Sequence, residues 1–419
     1  MGRLSVADGL EVGRLEDRKF KDTEVGRIPV DWEVKRLGDV IEYTKGYPFK
    51  SKDYCNEGTR IIRVSDTTYD SIKEENPVYI NEKKAKKFSK WLLKENDLIV
   101  STVGSKPPMY DSLVGKCVIV RKEHEGSLLN QNAVLIRTKT KNISTHKILY
   151  YNLKTKRYLN YIENIFRGNA NQASINLSDI FKFFIPLPPL EEQKAIAKVL
   201  SDVDKLIKSI EKLIHKKNQI KQGTMQELLT GKKRLPGFNG EWEVRKLGEV
   251  FDITAGGDLK KDLYSETKDD IHIYPIYSNS LTNKGLYGYS SVYDYTEDAI
   301  TITARGTIGY AIYRDHKFCA IGRVLVLKPK VRVNNFFISQ YINSNLKFTI
   351  ENTGVPQLTA PKISIYKIPL PPLKEQKAIA EILSDMDSEI ESLEKKLEKY
   401  KLIKEGIMEK LLTGQVRLI

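Results

Sequence analysis

The sequence predicts an α+β protein in which two globular mixed α/β domains are separated by two long helices that form an antiparallel coiled coil, with a pseudo-two-fold internal repeat. Three observations predict this fold class. The chain contains two nearly identical proline-led segments, a heptad pattern of apolar residues follows each of them, and short strand-like runs fill the intervening segments. A chain of 419 residues is long enough for two to three domains.

The internal repeat is the clearest feature of the sequence. PPLEEQKAIAKVLSDVD at 188–204 and PPLKEQKAIAEILSDMD at 371–387 agree at 13 of 17 positions, with an offset of 183. The same offset relates MQELLTGKKRL at 225–235 to MEKLLTGQVRL at 408–418. A period this long is not that of a solenoid, whose repeats have about 20–50 residues. It indicates two domain-sized halves related by duplication.

A second offset shows that only part of each half is duplicated. WEVKRLGDV at 32–40 returns as WEVRKLGEV at 242–250, with an offset of 210, so the first insert between the repeated frames is 27 residues longer (210 − 183). Because the frames are alike and the inserts are not, we expect the two frames to have the same function and the two inserts to have different functions. The sequence predicts an N-terminal extension at 1–30, a first globular domain at 31–187, a first long helix at 188–234, a second globular domain at 235–370 and a second long helix at 371–419.

Each duplicated segment predicts one long helix. The first begins after a Pro-Pro pair, which a first helical turn tolerates. Glu191 and Glu192 then lie where the positive end of the helix dipole favours acids. No proline interrupts the 39 residues from Glu191 to Leu229, a length of about 58 Å at ~1.5 Å per residue. A Thr-Gly pair at 230–231, and another at 413–414, predicts where the helices end.

Apolar residues recur at heptad spacing along both predicted helices, as in a coiled coil. Because a helix of this length buries its apolar stripe only against a partner, we expect the two helices to pack against each other in antiparallel orientation. The predicted helix–helix packing residues are Ile196, Leu200, Val203, Ile207, Ile210, Ile214, Ile379, Leu383, Met386, Ile390, Leu393 and Leu397.

The inserts have the pattern of mixed α+β domains. Short β-branched and aromatic runs, separated by turn residues, predict strands. These runs are Arg60–Val64, Leu98–Val103, Val114–Val120 and Ala133–Arg137 in the first insert, and Ala299–Thr303, Tyr310–Tyr313 and Val324–Leu327 in the second. Each insert also predicts one helix, at His146–Ile165 and Asn335–Ile350, followed by a polar loop and an apolar run that leads into IPLPP.

Composition narrows the class of protein. Lys and Arg exceed Asp and Glu by 69 − 54, a net charge of +15, which favours a polyanionic partner and most simply nucleic acid. A Lys-rich soluble surface, also typical of thermophiles, is the alternative. The three distant cysteines exclude a disulfide framework and CxxC zinc spacing and indicate a reducing compartment, so we expect a cytoplasmic protein. The first residues do not resemble a signal peptide, and no apolar run is long enough to predict a membrane span.

Signals for catalysis are few. The sequence contains no phosphate-binding GxxxxGK[ST], no GxSxG elbow and no HExxH, and its five histidines show no metal-ligand spacing. KPPMY at 106–110 superficially resembles the Asn/Asp-Pro-Pro-aromatic motif of amino-methyltransferases but lacks the amide or acid. Glu-Gln-Lys at 192–194, after Asp179, could mimic a nuclease metal site, but it opens a helix and the second copy has Lys362 in place of the aspartate. We therefore predict no metal site and no catalytic residue.

Polar loop residues are better candidates for a function, namely DNA recognition. Arg, Asn and Gln side chains form bidentate hydrogen bonds with base edges. For any one residue a solvated loop or a capping role is the alternative, but as a group they favour DNA contact. The candidates are Arg60, Arg63, Asn130, Gln131, Asn132, Arg167, Asn169, Asn171 and Gln172 in the first insert, and Asn279, Arg305, Arg323 and Gln357 in the second.

The repeated segments resemble a known family. GRIPVDWEVKRLGDV, the two IPLPPL-x-EQKAIA-x-x-LSD-x-D blocks, RLPGFNGEWEVRKLGEV and the two LLTG ends closely resemble the specificity subunits of type I restriction–modification enzymes, from about residue 19 onward. The proline-led block, present twice at this spacing, is highly specific. The resemblance implies that each insert is a target recognition domain for one half of a split DNA site, and that the two long helices hold these domains apart.

The resemblance also implies which partners and cofactors to expect. The partners would be double-stranded DNA, two methyltransferase (modification) subunits and restriction/translocase subunits, with no membrane. This chain would be non-catalytic and hold no cofactor, whereas S-adenosylmethionine, ATP and Mg2+ would bind the partner subunits. The alternative is a stand-alone architectural DNA-binding protein without methyltransferase partners. A third class, a self-contained methyltransferase or nuclease, is opposed by the missing motifs.

Overall fold

The computed structural model describes residues 19–169, 172–349 and 356–418. The chain divides into two compact units. Unit 1 consists of Met1–Ser209 together with Glu398–Ile419, and unit 2 consists of Ile210–Leu397. Each unit therefore contains one insert and a part of each long helix. The predicted segment boundaries, which separate the helices from the inserts, stay a prediction.

The helices and strands follow the mixed pattern that the sequence predicts. The helices are α1 (Leu37–Val40), α2 (Glu82–Ala85), α3 (Ile143–Asn152), α4 (Lys156–Ile165), α5 (Leu177–Ile180), α6 (Leu190–Leu228), α7 (Leu247–Val250), α8 (Asn335–Asn345), α9 (Ala360–Ser364) and α10 (Leu373–Leu412). The strands of unit 1 are β1 (Phe20–Thr23), β2 (Gly26–Pro29), β3 (Glu33–Arg36), β4 (Ile41–Lys45), β5 (Tyr54–Cys55), β6 (Thr59–Ile62), β7 (Val78–Ile80), β8 (Leu98–Ser101), β9 (Val103–Gly104), β10 (Cys117–Ile119), β11 (Leu128–Leu129), β12 (Ala133–Thr138), β13 (Arg167–Asn169), β14 (Gln172–Ser174) and β15 (Phe184–Leu187). Those of unit 2 are β16 (Glu243–Lys246), β17 (Phe251–Ala255), β18 (Tyr264–Ser265), β19 (Tyr274–Tyr277), β20 (Leu286–Ser290), β21 (Ala299–Ile302), β22 (Ala311–Arg314), β23 (Cys319–Ala320), β24 (Leu325–Pro329) and β25 (Lys367–Leu370).

The insert of unit 1 is built on two four-stranded sheets. The first has the order β10-β8-β12-β4 and is antiparallel, and the second has the order β11-β6-β7-β5, in which only β11 and β6 are parallel. A small sheet β13-β14-β9 lies beside them. The hairpin β1–β2 occupies part of the predicted N-terminal extension, of which residues 1–18 lie outside the described residues.

Unit 2 repeats the two four-stranded sheets of this topology. Its sheets have the orders β17-β24-β21-β22 and β18-β20-β19-β23, and again one pair, β19 and β23, is parallel. The strands β17, β24, β21 and β22 take the places of β4, β12, β8 and β10. The two inserts therefore share one architecture although their sequences are only loosely alike.

In each unit a ribbon formed by the repeated frame closes the insert. The WEV strand pairs with the IPL strand, β3 with β15 and β16 with β25, both antiparallel. The backbone N–H of Leu37 donates to the carbonyl of Phe183 (2.8 Å), and Leu247 donates in the same way to Tyr366 (2.8 Å). The ribbon therefore holds the two ends of each insert side by side.

The predicted strands are confirmed, and both predicted insert helices are wrong in their extent. Each predicted run overlaps a strand, namely β6, β8, β10, β12, β21, β22 or β24. The helix predicted at His146–Ile165 is two helices, because Thr155 accepts a hydrogen bond from the backbone N–H of Tyr158 (3.3 Å) and caps a new helix, α4. In the second insert α8 ends at Asn345, before the predicted Ile350.

The two long helices have the predicted lengths and ends. They contain 39 and 40 residues. Gly231 and Gly414 follow them with φ of +70° at both positions, the left-handed conformation in which glycine commonly ends a helix. The helices are antiparallel within each unit. In unit 1, Glu192 pairs with Arg417 (2.6 Å) and the later Asp204 pairs with the earlier Lys404 (2.7 Å). In unit 2, Lys217 pairs with Glu389 (2.7 Å) and the later Lys221 pairs with the earlier Asp387 (2.5 Å).

Each hydrophobic core is completed by both long helices. In unit 1, Leu200 of α6 and Leu411 of α10 belong to one buried cluster with the insert, and in unit 2, Leu228 of α6 and Leu383 of α10 do the same. The predicted packing residues are all buried or half-buried. The buried ones are Ile196, Leu200, Ile210, Ile379, Leu383 and Ile390, and the half-buried ones are Val203, Ile207, Ile214, Met386, Leu393 and Leu397.

A buried carboxylate joins three separate parts of the frame in unit 1. The side chain of Glu192, which is 1% exposed, accepts hydrogen bonds from Nε1 of Trp32 (2.9 Å) and Nε of Arg417 (2.6 Å). Arg417 also pairs with both carboxylate oxygens of Asp31 (3.0 and 2.7 Å). Burial alone would raise the pKa of Asp31, but hydrogen bonds and the charge of Arg417 outweigh it and hold that pKa below its usual range. We call these four residues the carboxylate junction of unit 1.

Unit 2 contains the same junction. Glu375, whose side chain is fully buried, accepts from Trp242 Nε1 (3.2 Å) and from Arg234 through both Nε (2.6 Å) and Nη2 (2.7 Å). The hydrogen bonds with Glu375 raise the pKa of Arg234, so the guanidinium stays charged. We call these three residues the carboxylate junction of unit 2. In both units the end of one long helix, the WEV strand and the start of the other long helix meet at one glutamate.

The neighbouring glutamines fix how the insert enters the frame. Gln193 accepts from the hydroxyl of Thr145 in α3 (2.7 Å), and its amide donates to the carbonyl of Pro188 (2.7 Å). Gln376 accepts from the backbone N–H of Asn334, the residue that caps α8 (2.8 Å), and donates to Pro371 (2.8 Å). The Glu-Gln pair of each repeat therefore connects both the frame and the insert.

Replacing Glu192 by Ala should leave the buried Arg417 guanidinium without its closest partner. Removing one member of a buried pair costs about 3–5 kcal/mol, so we expect the free energy of unfolding in urea to fall by that amount. The control is Glu191→Ala, because the adjacent Glu191 side chain is 81% exposed, and it should cost less than about 1 kcal/mol. Equal stability of the two variants would contradict the junction.

Candidate nucleic-acid interface

The candidate interface lies at one edge of the first sheet of each insert. Strands β8 and β12 are antiparallel neighbours, so the segment that follows Ser101 and the segment that precedes Ala133 emerge at the same edge. In unit 2 the same relation holds for Ile302 and Leu325. A third segment, which leads back to the frame, joins them in each unit. We call these segments the edge loops: 102–104, 130–132 and 167–175 without 170 and 171 in unit 1, and 303–306, 321–323 and 356–358 in unit 2.

Backbone hydrogen bonds hold the edge loops of unit 1 together. The N–H of Thr102 donates to the carbonyl of Asn132 (2.8 Å), and the N–H of Ile175 donates to the carbonyl of Thr102 (3.0 Å). Strand β14 then pairs with β9, with Ala173 opposite Gly104. These hydrogen bonds fix the backbone of the loops, so their exposed side chains can differ without changing the backbone.

A glycine directly after β4 allows the chain to pass close to these loops. A Cβ atom on Gly46 would lie 1.8 Å from the carbonyl oxygen of Asn130, which no real side chain tolerates. Gly256 occupies the same place in unit 2, where a Cβ atom would lie 2.6 Å from the carbonyl of Ala320. Their backbone N–H groups donate to Ala133 (2.9 Å) and Val324 (2.7 Å), which identifies these two residues as equivalent.

In unit 1 the predicted contact residues differ in their exposure and in their hydrogen-bond partners. Asn130 is buried and accepts from the backbone N–H of Gln131 (2.7 Å), so it shapes the loop. Gln131 and Asn132 are exposed, and Asn132 has φ of +68°. The Arg167 side chain is 71% exposed and lies 3.8 Å from Asp179. Asn169 and Gln172 lie opposite each other in the β13–β14 hairpin, and Asn171 lies outside the described residues.

In unit 2 the predicted contact residues come together. Asn279 accepts from the backbone N–H of Ala304 (2.7 Å) and donates to the carbonyl of Gly322, so its side chain connects two edge loops. The third loop joins them because the N–H of Leu358 donates to the carbonyl of Ala304 (3.0 Å). Asn279 therefore positions the residues that follow Ala304 and Gly322, which are Arg305 and Arg323.

Arg305 and Arg323 converge on one amide oxygen. The Oε1 atom of Gln357 accepts from Nη2 of Arg305 (3.2 Å) and from Nη1 of Arg323 (3.4 Å). Both arginines are exposed, and Arg323 has φ of +67°, which is uncommon for a residue with a side chain. Arg323 precedes Val324 as Asn132 precedes Ala133, so the two units place different side chains at the same left-handed position.

Arg60 and Arg63 form their hydrogen bonds with residues outside the edge loops. Arg60 donates to Glu74 (2.6 Å) and is only 12% exposed. The guanidinium of Arg63 pairs with both oxygens of Asp66, which is buried, and donates to the carbonyl of Asn76 (3.0 Å). These two side chains stabilise the second sheet and its loops.

Several titratable side chains outside the edge loops have local partners. In the part of the chain that the structure describes, no group of three or more His, Cys, Asp or Glu side chains could hold a metal ion. Glu192 is committed to its junction, and Asp179 pairs with Lys182 (3.0 Å). Burial lowers the pKa of His146, whose Nδ1 accepts from the backbone N–H of Thr138 (3.2 Å). Among the described residues no helix is both long and apolar enough to cross a bilayer.

Sequence reasoning missed the carboxylate junctions and the two buried lysines of the first insert. Lys116 and Lys154 are almost fully buried, and burial lowers the pKa of Lys116 to about 8. The Lys116 amine donates to the carbonyl of Thr67 (2.5 Å), and that of Lys154 lies 3.8 Å from the centroid of the Tyr69 ring. Both hold the 67–71 loop. A signal for the junctions was present, because Trp, Glu and Arg recur at fixed places in both copies.

Comparisons with known proteins agree on one family. The family model described as "Type I restriction modification DNA specificity domain" matches residues 29–222 and 239–401. A putative type I restriction enzyme specificity subunit, MjaX, from Methanocaldococcus jannaschii is 33% identical over 96% of this chain and 98% of its own length. The MjaVIII specificity subunit from the same organism is 30% identical over 96% and 97%.

Solved structures show the same fold. The crystal structure of a type I restriction–modification S subunit from M. genitalium matches 91% of this chain and 96% of its own length, with a TM-score of 0.62 at 18% identity. A chain from a study of complex assembly and conformational transition of the type I system matches 92% of this chain and 99% of its own length, with a TM-score of 0.51 at 18% identity.

Proposed function

Because the chain belongs to the family of type I restriction–modification specificity subunits, we propose that it selects the DNA sequence on which a restriction–modification complex acts. Each insert binds one half of a bipartite, asymmetric DNA site. The long helices set the spacing between the halves and dock the methyltransferase subunits. One observation carries this proposal: two inserts built on the same pair of four-stranded sheets present different side chains at equivalent edge-loop positions.

The distribution of similarity in the two units supports a split site. The frames repeat their junctions, helix ends and ribbons, whereas equivalent edge-loop positions carry Asn132 in one unit and Arg323 in the other. Phosphate contacts carry no sequence information, while base contacts need particular side chains. Two domains that recognise different bases therefore need different side chains at equivalent backbone positions. The net charge of +15 provides the sequence-independent attraction to the DNA backbone.

Catalysis belongs, in this proposal, to partner subunits. Methylation with S-adenosylmethionine is assigned to two methyltransferase subunits, and ATP- and Mg2+-dependent translocation and cleavage to restriction subunits. The described part of this chain supplies exposed guanidinium and amide groups at the edge loops and no nucleophile paired with a base there. Its contribution is selection and positioning of DNA.

The long helices offer two copies of one exposed surface. Lys194 and Asp202 are exposed on α6, and the identical Lys377 and Asp385 are exposed on α10. Packing explains why buried positions of a duplicated helix stay alike, but it does not require exposed positions to match. Two like surfaces fit two copies of one partner, which favours docked methyltransferase subunits over the alternative of a stand-alone architectural protein.

Replacing the first insert, 46–183, by the second, 256–366, should give a chain that recognises the second half-site twice. The joints keep Gly at the start and an aromatic residue at the end, so the frame ribbons are preserved. Sequencing of methylated DNA from cells that express the variant with its methyltransferase provides the measurement. The reciprocal duplication is the control, and a change in both half-sites or in neither would contradict the proposal.

Reversing the charge at both repeated aspartates, Asp202→Lys with Asp385→Lys, should weaken binding of the methyltransferase subunit by about tenfold or more. Thermal stability should stay close to wild type, because both side chains are exposed. The control is Gln222→Glu, which gives α6 the residue that α10 carries at Glu405, also exposed, and should not affect binding. If the unmodified chain bound no methyltransferase, the architectural alternative would be favoured.

A further inference from the structure

We propose that Arg305, Arg323 and Gln357 form one guanine-recognition cluster, so that the half-site bound by unit 2 contains a guanine read through its major-groove edge. This inference rests on the proposed function and makes it more specific. Arg305 and Arg323 make the base contacts, and Gln357 is the positioning residue that orients them.

The first argument is the geometry of the cluster. One neutral oxygen, Oε1 of Gln357, accepts one N–H from each guanidinium, at 3.2 and 3.4 Å. Each guanidinium has five N–H donors, so most remain available. Among the described residues neither arginine lies within salt-bridge distance of a carboxylate. Two cations held side by side by a neutral acceptor are stabilised by a further ligand that is rich in acceptors.

The second argument is the backbone at Arg323. Its φ of +67° is a conformation that glycine adopts at no steric cost and that a residue with a Cβ adopts only at some cost. Gly322 directly before it, at +64°, shows that glycine occurs in this loop. Folding alone does not require an arginine at this position, and the exposed guanidinium is free to serve in binding.

The third argument is preorganisation of the loops. Asn279 connects the backbone of Ala304 to that of Gly322, the residues that directly precede the two arginines. Arg305 and Arg323 are thus fixed at the backbone by one amide and at the tip by another. A flexible lysine would suffice to contact a phosphate, whereas a planar, oriented guanidinium suits a partner with two adjacent acceptors.

Guanine is the base that best matches this cluster. In the major groove its O6 and N7 atoms are neighbouring acceptors, and arginine bound to both is the commonest specific contact between protein and DNA. Adenine places a donor beside its N7, cytosine presents a donor, and thymine presents a single acceptor, O4, beside a methyl group. None of the three offers a guanidinium two neighbouring acceptors. The chemistry of the cluster therefore selects guanine over the other bases.

The test compares Arg323→Gly with Lys284→Gly in the full chain bound to its methyltransferase. Lys284 is also exposed and left-handed, with φ of +52°, and lies in the same unit, so both variants remove one charge and relieve one backbone strain. Sites are first selected from a random duplex library with the unmodified protein. The selected second half-site should contain an invariant guanine, and Arg323→Gly should weaken binding to it by about 10- to 100-fold. Lys284→Gly should have little effect, and neither variant should lower the melting temperature.

Replacing the invariant guanine by 7-deazaguanine removes the N7 acceptor and identifies the contact. The unmodified protein should lose affinity for this duplex, whereas Arg323→Gly should lose less affinity on the same substitution, because both changes remove a shared contact. Gln357→Leu keeps both positive charges, so it should keep affinity for random DNA and the salt dependence while reducing discrimination between guanine and the other bases.

Two outcomes separate this inference from the proposed function. If the unmodified protein selects a bipartite site whose second half has no invariant guanine, or if Arg323→Gly loses the same factor on cognate, deaza-substituted and random DNA, the cluster binds phosphate and the inference is wrong while the proposed function stands. If the unmodified protein selects no bipartite sequence at all, the proposed function fails and the inference with it.

Discussion

The buried glutamate at the start of each long helix is the interaction on which the rest of the structure depends. A buried carboxylate is stable only with partners, and Glu192 takes them from Trp32 near the beginning of the chain and from Arg417 near its end. Glu375 takes equivalent partners from Arg234 and Trp242. Because these contacts involve only frame residues, an insert can change its length and surface chemistry without disturbing them, provided that its two ends still form the ribbon.

The sequence was sufficient wherever the signal was local or periodic. The heptads and Thr-Gly pairs predicted both long helices and their ends, and alternating apolar runs predicted the strands. The break at Thr155 was missed because the helical pattern continues across a capping residue whose effect depends on one hydroxyl. The junctions at Glu192 and Glu375 were missed because they join residues more than 130 positions apart, although the recurrence of Trp, Glu and Arg indicated them.

The candidate interface shows the same limit. Composition and loop position grouped Asn279, Arg305, Arg323 and Gln357 by residue type, but only the structure shows that the first fixes the backbone and the other three meet. Arg60 has the same residue type yet is engaged with Glu74, since a strand position beside an acidic loop buries it. Chemical type thus indicates which side chains can contact bases, and packing decides which of them are free to do so.

Lengthening both long helices is the most direct test of the proposal that these helices set the spacing between the two half-sites. Seven residues added to each, at equivalent heptad positions, preserve the packing seam and add about 10.5 Å, or about three base pairs at ~3.4 Å each. The DNA between the half-sites would also turn by a little over a quarter of its 10–10.5 bp repeat, so affinity should fall. Sequencing of methylated sites should show the same half-sites with a spacer longer by about three base pairs. An extended chain that folds, binds its methyltransferase and still methylates the original spacing at full rate would contradict the account.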